Sequence, residues 1–113
     1  MRAVELMKIL KKLNIPVTNT EFPANMKVKP PFLVFVRNNI DTFDADNVVY
    51  MHNKDYFIEL YTCNKSEDME DRLIDLLNEN EINWQYVSDT RIEEGLYMVV
   101  LSIWVRKSIL MKR

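Results

Sequence analysis

The sequence predicts an α+β domain: one mainly antiparallel sheet with two helices packed on one face. Two segments repeat apolar residues at helical spacing, and several short runs are rich in β-branched and aromatic residues. Polar turn residues separate these runs. With 113 residues, 48% of them hydrophobic, the chain has the size and composition of one domain, which we place at residues 1–113.

The first helix is predicted close to the start of the sequence. Its apolar residues recur every three positions: Val4, Met7, Leu10 and Leu13. Asn14 is the predicted end, since Pro16 prevents simple continuation. Residues 15–22 are predicted to include a short extended piece. Residues 23–31 contain three prolines and are predicted to be a loop or extended arm.

Three strands are predicted next, at residues 32–37, 48–52 and 56–63. The first is a continuous apolar run, which is typical of a strand covered on both faces. Alternate residues of the third strand share one face, which we expect to be the core face: Tyr56, Ile58, Leu60 and Thr62. Its opposite face is a candidate interface. Residues 38–47 are polar and are predicted to form a projecting loop.

A second helix is predicted to begin after Ser66, a residue suited to cap a helix N-terminus. Its buried stripe is predicted from helical spacing: Met69, Leu73, Leu76 and Leu77. Two strands follow, at residues 82–91 and 96–107, joined by a turn at 93–95. Across the sheet we expect seven residues to be mostly buried: Phe32, Val34, Val36, Ile58, Leu60, Val99 and Leu101.

Composition argues against most enzyme classes. The single glycine argues against nucleotide-binding loops, which need several, and the single cysteine and single histidine argue against clustered metal sites. The predicted loop at 38–47 contains three aspartates that could attract a divalent cation: Asp41, Asp44 and Asp46. The glycine turn and the distal glutamate of a calcium-binding loop are missing, however. His52 could be a general base and Cys63 a nucleophile, but His52 lies where a predicted strand runs into a turn and Cys63 is an ordinary strand residue, so neither position indicates catalysis. We therefore predict that the protein is not an enzyme and has no catalytic residue, no cofactor and no metal site.

Partners and location are also constrained. The net charge of −2 provides no global field for nucleic acid or an anionic membrane, so neither partner is expected. No run of about 20 apolar residues is present to span a bilayer, and no secretory signal pattern is recognisable. We expect the protein to be made and kept in a cytoplasm.

The order of charges along the chain is more informative than their total. Residues 1–37 hold seven basic and two acidic residues, residues 38–105 hold four basic and fifteen acidic, and residues 106–113 hold four basic and none acidic. This order fits two interpretations. Basic and acidic surfaces of different copies pair head to tail, which closes a ring when the rotation permits, or the opposite charges neutralise each other within one fold.

Three segments together resemble a known family. They are the stretch FDADNVVYMHNKDYFIELYT at 43–62, the helix KSEDMEDRLIDLL at 65–77 and the hairpin WQYVSDTRIEEGLYMVVLSIWV at 84–105. The pattern, which spans residues 4–105, resembles small proteins of the head–tail gene region of phages and prophages of Gram-positive bacteria. In size and element order it is similar to the tail terminator, or tail completion, proteins of long-tailed phages.

The resemblance implies a virion structural protein without an active site. Tail terminators are α+β proteins that form hexameric rings, cap the tail tube and join it to the head connector. The implied partners are other copies of this chain, the tail tube and the head-connector protein, and the implied location is the virion tail. We expect the loops at 23–31 and 38–47 to contact neighbouring subunits or the tube. The basic segment 106–113 is not part of the pattern and is predicted to be a flexible tail.

Charge order and resemblance together select candidate residues for self-assembly and docking. They are Lys8, Lys11, Lys12, Phe43, Glu67, Asp71, Asp75, Glu79, Arg106 and Lys107. The basic members are expected to approach the acidic members of the next subunit. The alternative hypothesis from the sequence is a ferredoxin-like regulatory or ligand-binding module of a bacterial cell.

Overall fold

The computed structural model describes residues 1–23, 26–38 and 56–105. Within them the chain forms two α-helices, one 3-10 turn and one five-stranded sheet. In chain order the elements are α1 (Ala3–Leu10), the 3-10 turn (Lys11–Leu13), β1 (Val17–Asn19), β2 (Phe32–Arg37), β3 (Tyr56–Thr62), α2 (Glu67–Glu79), β4 (Asn83–Glu93) and β5 (Leu96–Trp104). The predicted α+β class is confirmed.

Some predictions fall outside the described residues. These are the strand at 48–52, nearly all of the loop at 38–47, the three aspartates before β3, His52 and the basic segment 106–113. Of the arm at 23–31, the described residues contain neither helix nor strand, as predicted.

The sheet is mixed, with strand order β1-β2-β3-β5-β4. β1 pairs in parallel with β2, and the other three pairings are antiparallel, so the sheet is mainly antiparallel as predicted. The register aligns apolar residues across three neighbouring strands in two rows: Leu33–Leu60–Val99 and Phe35–Ile58–Leu101. These rows form the sheet side of the core.

Both helices complete the same core. α1 and the 3-10 turn contribute Leu6, Leu10 and Leu13, and α2 contributes the four residues predicted as its buried stripe. The Oγ atom of Ser66 accepts a hydrogen bond from the Met69 N–H at 3.2 Å, which confirms the predicted cap. Asn14 ends the first helical segment in a left-handed conformation with φ 60°. The two helices therefore lie on one face of the sheet.

One part of the predicted core needs correction. Five of the seven residues are buried, but Phe32 and Val36 are only half-buried. Successive side chains of a strand point to opposite faces, and in β2 it is Leu33 and Phe35 that join the helix-covered core. Phe32, Val34 and Val36 lie on the other face. A continuous apolar run does not reveal which alternate set meets the helices.

The order of the described elements differs from that of the ferredoxin-like alternative. A ferredoxin-like domain runs β-α-β-β-α-β, whereas the order here is α-β-β-β-α-β-β. The parallel pair β1–β2 lies at one edge of the sheet, and the β4–β5 hairpin forms the opposite edge.

Candidate assembly surface

Seven of the ten predicted assembly residues are described by the structure. Phe43, Arg106 and Lys107 lie outside the described residues. The other seven are all exposed, and they occupy two surfaces on the helix layer. We define the basic surface as Lys8, Lys11 and Lys12, and the acidic stripe as Glu67, Asp71, Asp75 and Glu79.

The basic surface follows from the way the first helical segment packs. Leu6, Leu10 and Leu13 turn toward the core, which leaves the lysines between them in water. Lys8 lies in the last turn of α1, and Lys11 and Lys12 lie in the 3-10 turn. Cations are favoured at the C-terminal end of a helix, because the backbone carbonyls there carry partial negative charge. The helix dipole therefore favours positive charge in this segment.

The acidic stripe repeats every four residues along α2. This spacing places its members on one side of the helix, away from the buried leucines. Glu67 lies in the first turn, where the helix dipole favours an anion, but Glu79 lies in the last turn, where the dipole opposes it. Like charges four residues apart also repel each other, by about 0.2–0.5 kcal/mol per pair. The stripe weakens the isolated helix, and a cationic partner surface would relieve that repulsion.

The two surfaces are not paired with each other inside one copy. α1 and α2 are in contact, and the Arg72 guanidinium of α2 donates a hydrogen bond to the Leu13 carbonyl at 3.2 Å. Yet the ion pairs that join described residues all involve Lys65, so none links the basic surface to the acidic stripe. For these seven residues, the interpretation that the charges neutralise each other within one fold gains no support.

A polar cluster that sequence reasoning missed joins α2 to β4. The Lys65 ammonium lies 2.7 Å from Glu70 Oε2 and 2.8 Å from Asp89 Oδ2. Hydrogen bonds to Asp89 and Glu70 raise the pKa of Lys65, and the same ammonium lowers the pKa of Asp89 below 3.8. Burial and the neighbouring Glu70 raise the pKa of Tyr86. The only sequence signal was a lysine beside many acids, without any indication of its partner on β4.

The face of the sheet away from the helices carries an aromatic row. Phe22 meets Phe32 edge to face, with ring centroids 5.5 Å apart, and Phe32 stacks on Tyr61 at 4.7 Å. The Tyr61 hydroxyl donates a hydrogen bond to Glu59 Oε1 at 2.8 Å. Burial and then this carboxylate raise the pKa of Tyr61 to about 12. This face includes the side of β3 that the sequence indicated as a candidate interface.

Three other features of the described residues bear on reactivity or ligand binding: the cysteine, the possible metal ligands and an open hollow. Cys63 is an exposed free thiol just after β3. Within the three described ranges, no three of the histidine, cysteine, aspartate and glutamate side chains cluster as metal ligands would. An open hollow beyond the end of α2 is lined by Asn78, Asn80, Glu81, Ile82, Asn83 and Val105. Trp84 Nε1 donates to Asn78 Oδ1 at its margin, at 2.9 Å.

Comparison of the chain with protein-family models, curated proteins and solved structures found no match. None of the helices in the described part of the chain has the length and apolar character needed to cross a bilayer.

Proposed function

We propose that this chain is a phage virion structural protein, a tail terminator or a closely related head–tail joining protein. It acts by assembly into a ring, a hexamer by analogy with the family it resembles, that caps the tail tube and receives the head connector. Its place is the virion tail, built in the cytoplasm of the host bacterium. It performs no chemistry, and its partners are other copies of itself, the tube and the connector.

The observation that best supports the proposal is the presence of two exposed surfaces of opposite charge that form no ion pair with each other or with other described residues of the same copy. A surface of one sign that meets the other sign on the next copy makes a heterologous contact, which is the kind that builds rings. Each exposed charge pair contributes only about 0–1 kcal/mol. The charges therefore mainly set the register of the contact, and apolar and backbone contacts supply most of the affinity.

The test is to interrupt the gene in the phage or prophage genome that encodes it. After induction, electron microscopy should show filled heads and separate tails, and the lysate should lose infectivity. Supplying the intact gene from a plasmid should restore joined particles, whereas a plasmid copy with an early stop codon should not. Joined, infectious particles in the interrupted strain would contradict the proposal.

The ferredoxin-like alternative predicts a different result. A regulatory or ligand-binding module of the host cell would leave particle assembly intact when its gene is lost. The element order, which differs from that of a ferredoxin-like domain, also makes this alternative weaker than the sequence alone indicated.

A further inference from the structure

The two edges of the sheet differ in length. Within the described ranges, β1 pairs only with β2 and β4 pairs only with β5. β1 has three residues, whereas β4 has eleven. An edge strand presents backbone N–H and C=O groups to any strand that approaches it. Among the described residues, no strand pairs with the outer side of β1 or of β4.

Backbone hydrogen bonds identify which groups of β1 face outward. Thr20 N–H donates to the Phe35 carbonyl at 2.8 Å, and the Pro16 carbonyl accepts from Leu33 N–H at 2.9 Å. Alternate residues of a parallel strand bond to the same neighbour, so Val17 and Asn19 direct their backbone groups away from β2. The Asn19 carbonyl accepts from Glu21 N–H at 3.0 Å. The Val17 N–H and C=O and the Asn19 N–H remain for a partner strand.

β4 offers a matching length of regular backbone. Its pairing with β5 is interrupted by two bulges, between Tyr86 and Ser88 and between Arg91 and Glu93. A bulge bends the strand and increases its local twist. The regular stretch between the bulges, Ser88–Arg91, is close in length to Val17–Asn19. Only a short strand pairing fits there.

Charge distinguishes the two edges as well. α1 packs against β1, and α2 packs against β4. The part of the chain that contains α1, β1 and β2 (residues 1–37) holds seven basic and two acidic residues. The part that contains α2 and β4 (residues 65–94) holds three basic and ten acidic residues. One edge of the molecule is therefore basic and the opposite edge is acidic.

We propose that copies of this chain join edge to edge, with Ser88–Arg91 of one copy beside Val17–Asn19 of the next. The two strands run antiparallel, because β1 runs parallel to β2 and every later step across the sheet reverses direction. Both helices lie on one face, so extension of the sheet brings α1 of the next copy beside α2. The basic surface then meets the acidic stripe. This inference rests on the self-assembly part of the proposed function and names its contact surfaces.

Thiol cross-linking of single-site variants tests the contact. In a Cys63→Ser background, one chain carries Thr18→Cys and another carries Thr90→Cys, and a short bifunctional thiol reagent is added to concentrated protein. The mixture should give a cross-linked dimer containing both variants, and neither variant alone should give one. An equal yield from Thr90→Cys alone would show β4 pairing with itself and overturn the proposal. Absence of the mixed product, both in concentrated solution and in joined particles, would also overturn it.

A proline variant tests the backbone contact specifically. Asn19→Pro removes an outward N–H that has no described partner inside the copy, whereas Asn19→Ala keeps that N–H and is the matched control. Loss of a main-chain hydrogen bond should weaken association about tenfold or less, measured by sedimentation, with the alanine variant unchanged. Equal association of the two variants would contradict strand pairing, and their melting temperatures would reveal any loss of folding.

The cross-linking experiment also distinguishes failure of the edge contact from failure of the proposed head–tail function. Joined particles that lack the cross-link between positions 18 and 90 would overturn the edge contact and leave the head–tail role in place. Cross-linked oligomers of a chain whose loss does not affect joining would support the edge contact and contradict the head–tail role.

Discussion

Lys65 Nζ lies 2.8 Å from Asp89 Oδ2, so a residue just before α2 is fixed to the edge strand β4. The same ammonium is 2.7 Å from Glu70 Oε2, in the first turns of α2. The two carboxylates lie on different elements, and the lysine holds both. This cluster positions the acidic stripe relative to the edge of the sheet.

Removal of this lysine should reduce stability modestly. Lys65→Met deletes both ion pairs, and because both lie partly in solvent we expect the free energy of unfolding to fall by about 1 kcal/mol. Lys12→Met is the matched control, since Lys12 is exposed and has no ion-pair partner among the described residues. Urea denaturation of the three proteins measures the difference. Equal losses for the two variants would show that the cluster contributes nothing specific.

The Asp89 carboxylate should make stability depend on pH in the acid range. Its pKa is lowered by Lys65, so folding favours the ionised form. This contribution is complete above the ordinary value of 3.8 and is lost as the pH falls through the lower, folded-state pKa. The difference in unfolding free energy between the wild type and Asp89→Asn should therefore shrink on acidification below 3.8. A difference that stays constant with pH would contradict the assignment.

Tyr61 should titrate well above an ordinary tyrosine. Burial and the hydrogen bond to Glu59 raise its pKa to about 12 from 10.0. The ultraviolet absorbance of phenolate, followed through an alkaline titration of wild type and Tyr61→Phe, isolates its signal by difference. A difference curve with its midpoint near 10.0 would contradict the contact. Because the folded-state pKa is the raised one, this contribution to stability is present below 10.0 and is lost as the pH rises toward 12.

Leu60 tests the core. It is 1% exposed and lies between Leu33 and Val99 in the register of the sheet. Leu60→Ala should lower the free energy of unfolding by about 2–5 kcal/mol, the range for emptying a packed core site. Val4→Ala on α1 is the control, because Val4 is 65% exposed and should change stability by less than about 0.5 kcal/mol. Comparable effects of the two substitutions in chemical denaturation would contradict the described core.

The sequence was sufficient where a pattern is local. The buried stripe of α2 and the alternation of β3 match the structure because helical and strand periods directly determine which residues share a face. The run at 32–37 identified a strand but not its core-facing residues, because both of its faces are apolar. The parallel pairing of β1 could not be predicted from the sequence. A strand of three residues has too short a pattern to recognise, and the strand with which it pairs is determined by tertiary packing.

The same contrast between local patterns and tertiary contacts applies to the candidate assembly surface. Exposure of the lysines and of the acidic stripe follows from helical spacing, so the sequence predicted it. The contact between Lys65 and Asp89 joins residues 24 positions apart in the chain and depends on the packing of α2 on β4. A local sequence pattern does not indicate a contact between residues so far apart in the chain. The charge difference between the two sheet edges likewise emerges only when the strand order is known.

Charge reversal should disturb assembly and be partly reversible. Asp71→Lys with Asp75→Lys should weaken association about tenfold, and Lys8→Glu with Lys11→Glu in the same chain should restore part of it. Glu81→Lys with Glu94→Lys makes the same change in net charge outside the acidic stripe and is the control. Association should weaken with added salt without vanishing, as the Debye length falls from about 10 Å at 0.1 M to about 3 Å at 1 M. A combined variant no better than either double reversal would contradict this pairing.

The central claim is that copies of this chain close into a ring at the end of a phage tail. Electron cryomicroscopy of joined particles, produced by the phage that encodes the chain, tests it most directly. We expect a ring of this protein between tube and connector, with the lysines of α1 and the 3-10 turn facing α2 of the next copy. A tail end without this chain, or with copies that do not touch one another, would contradict the account.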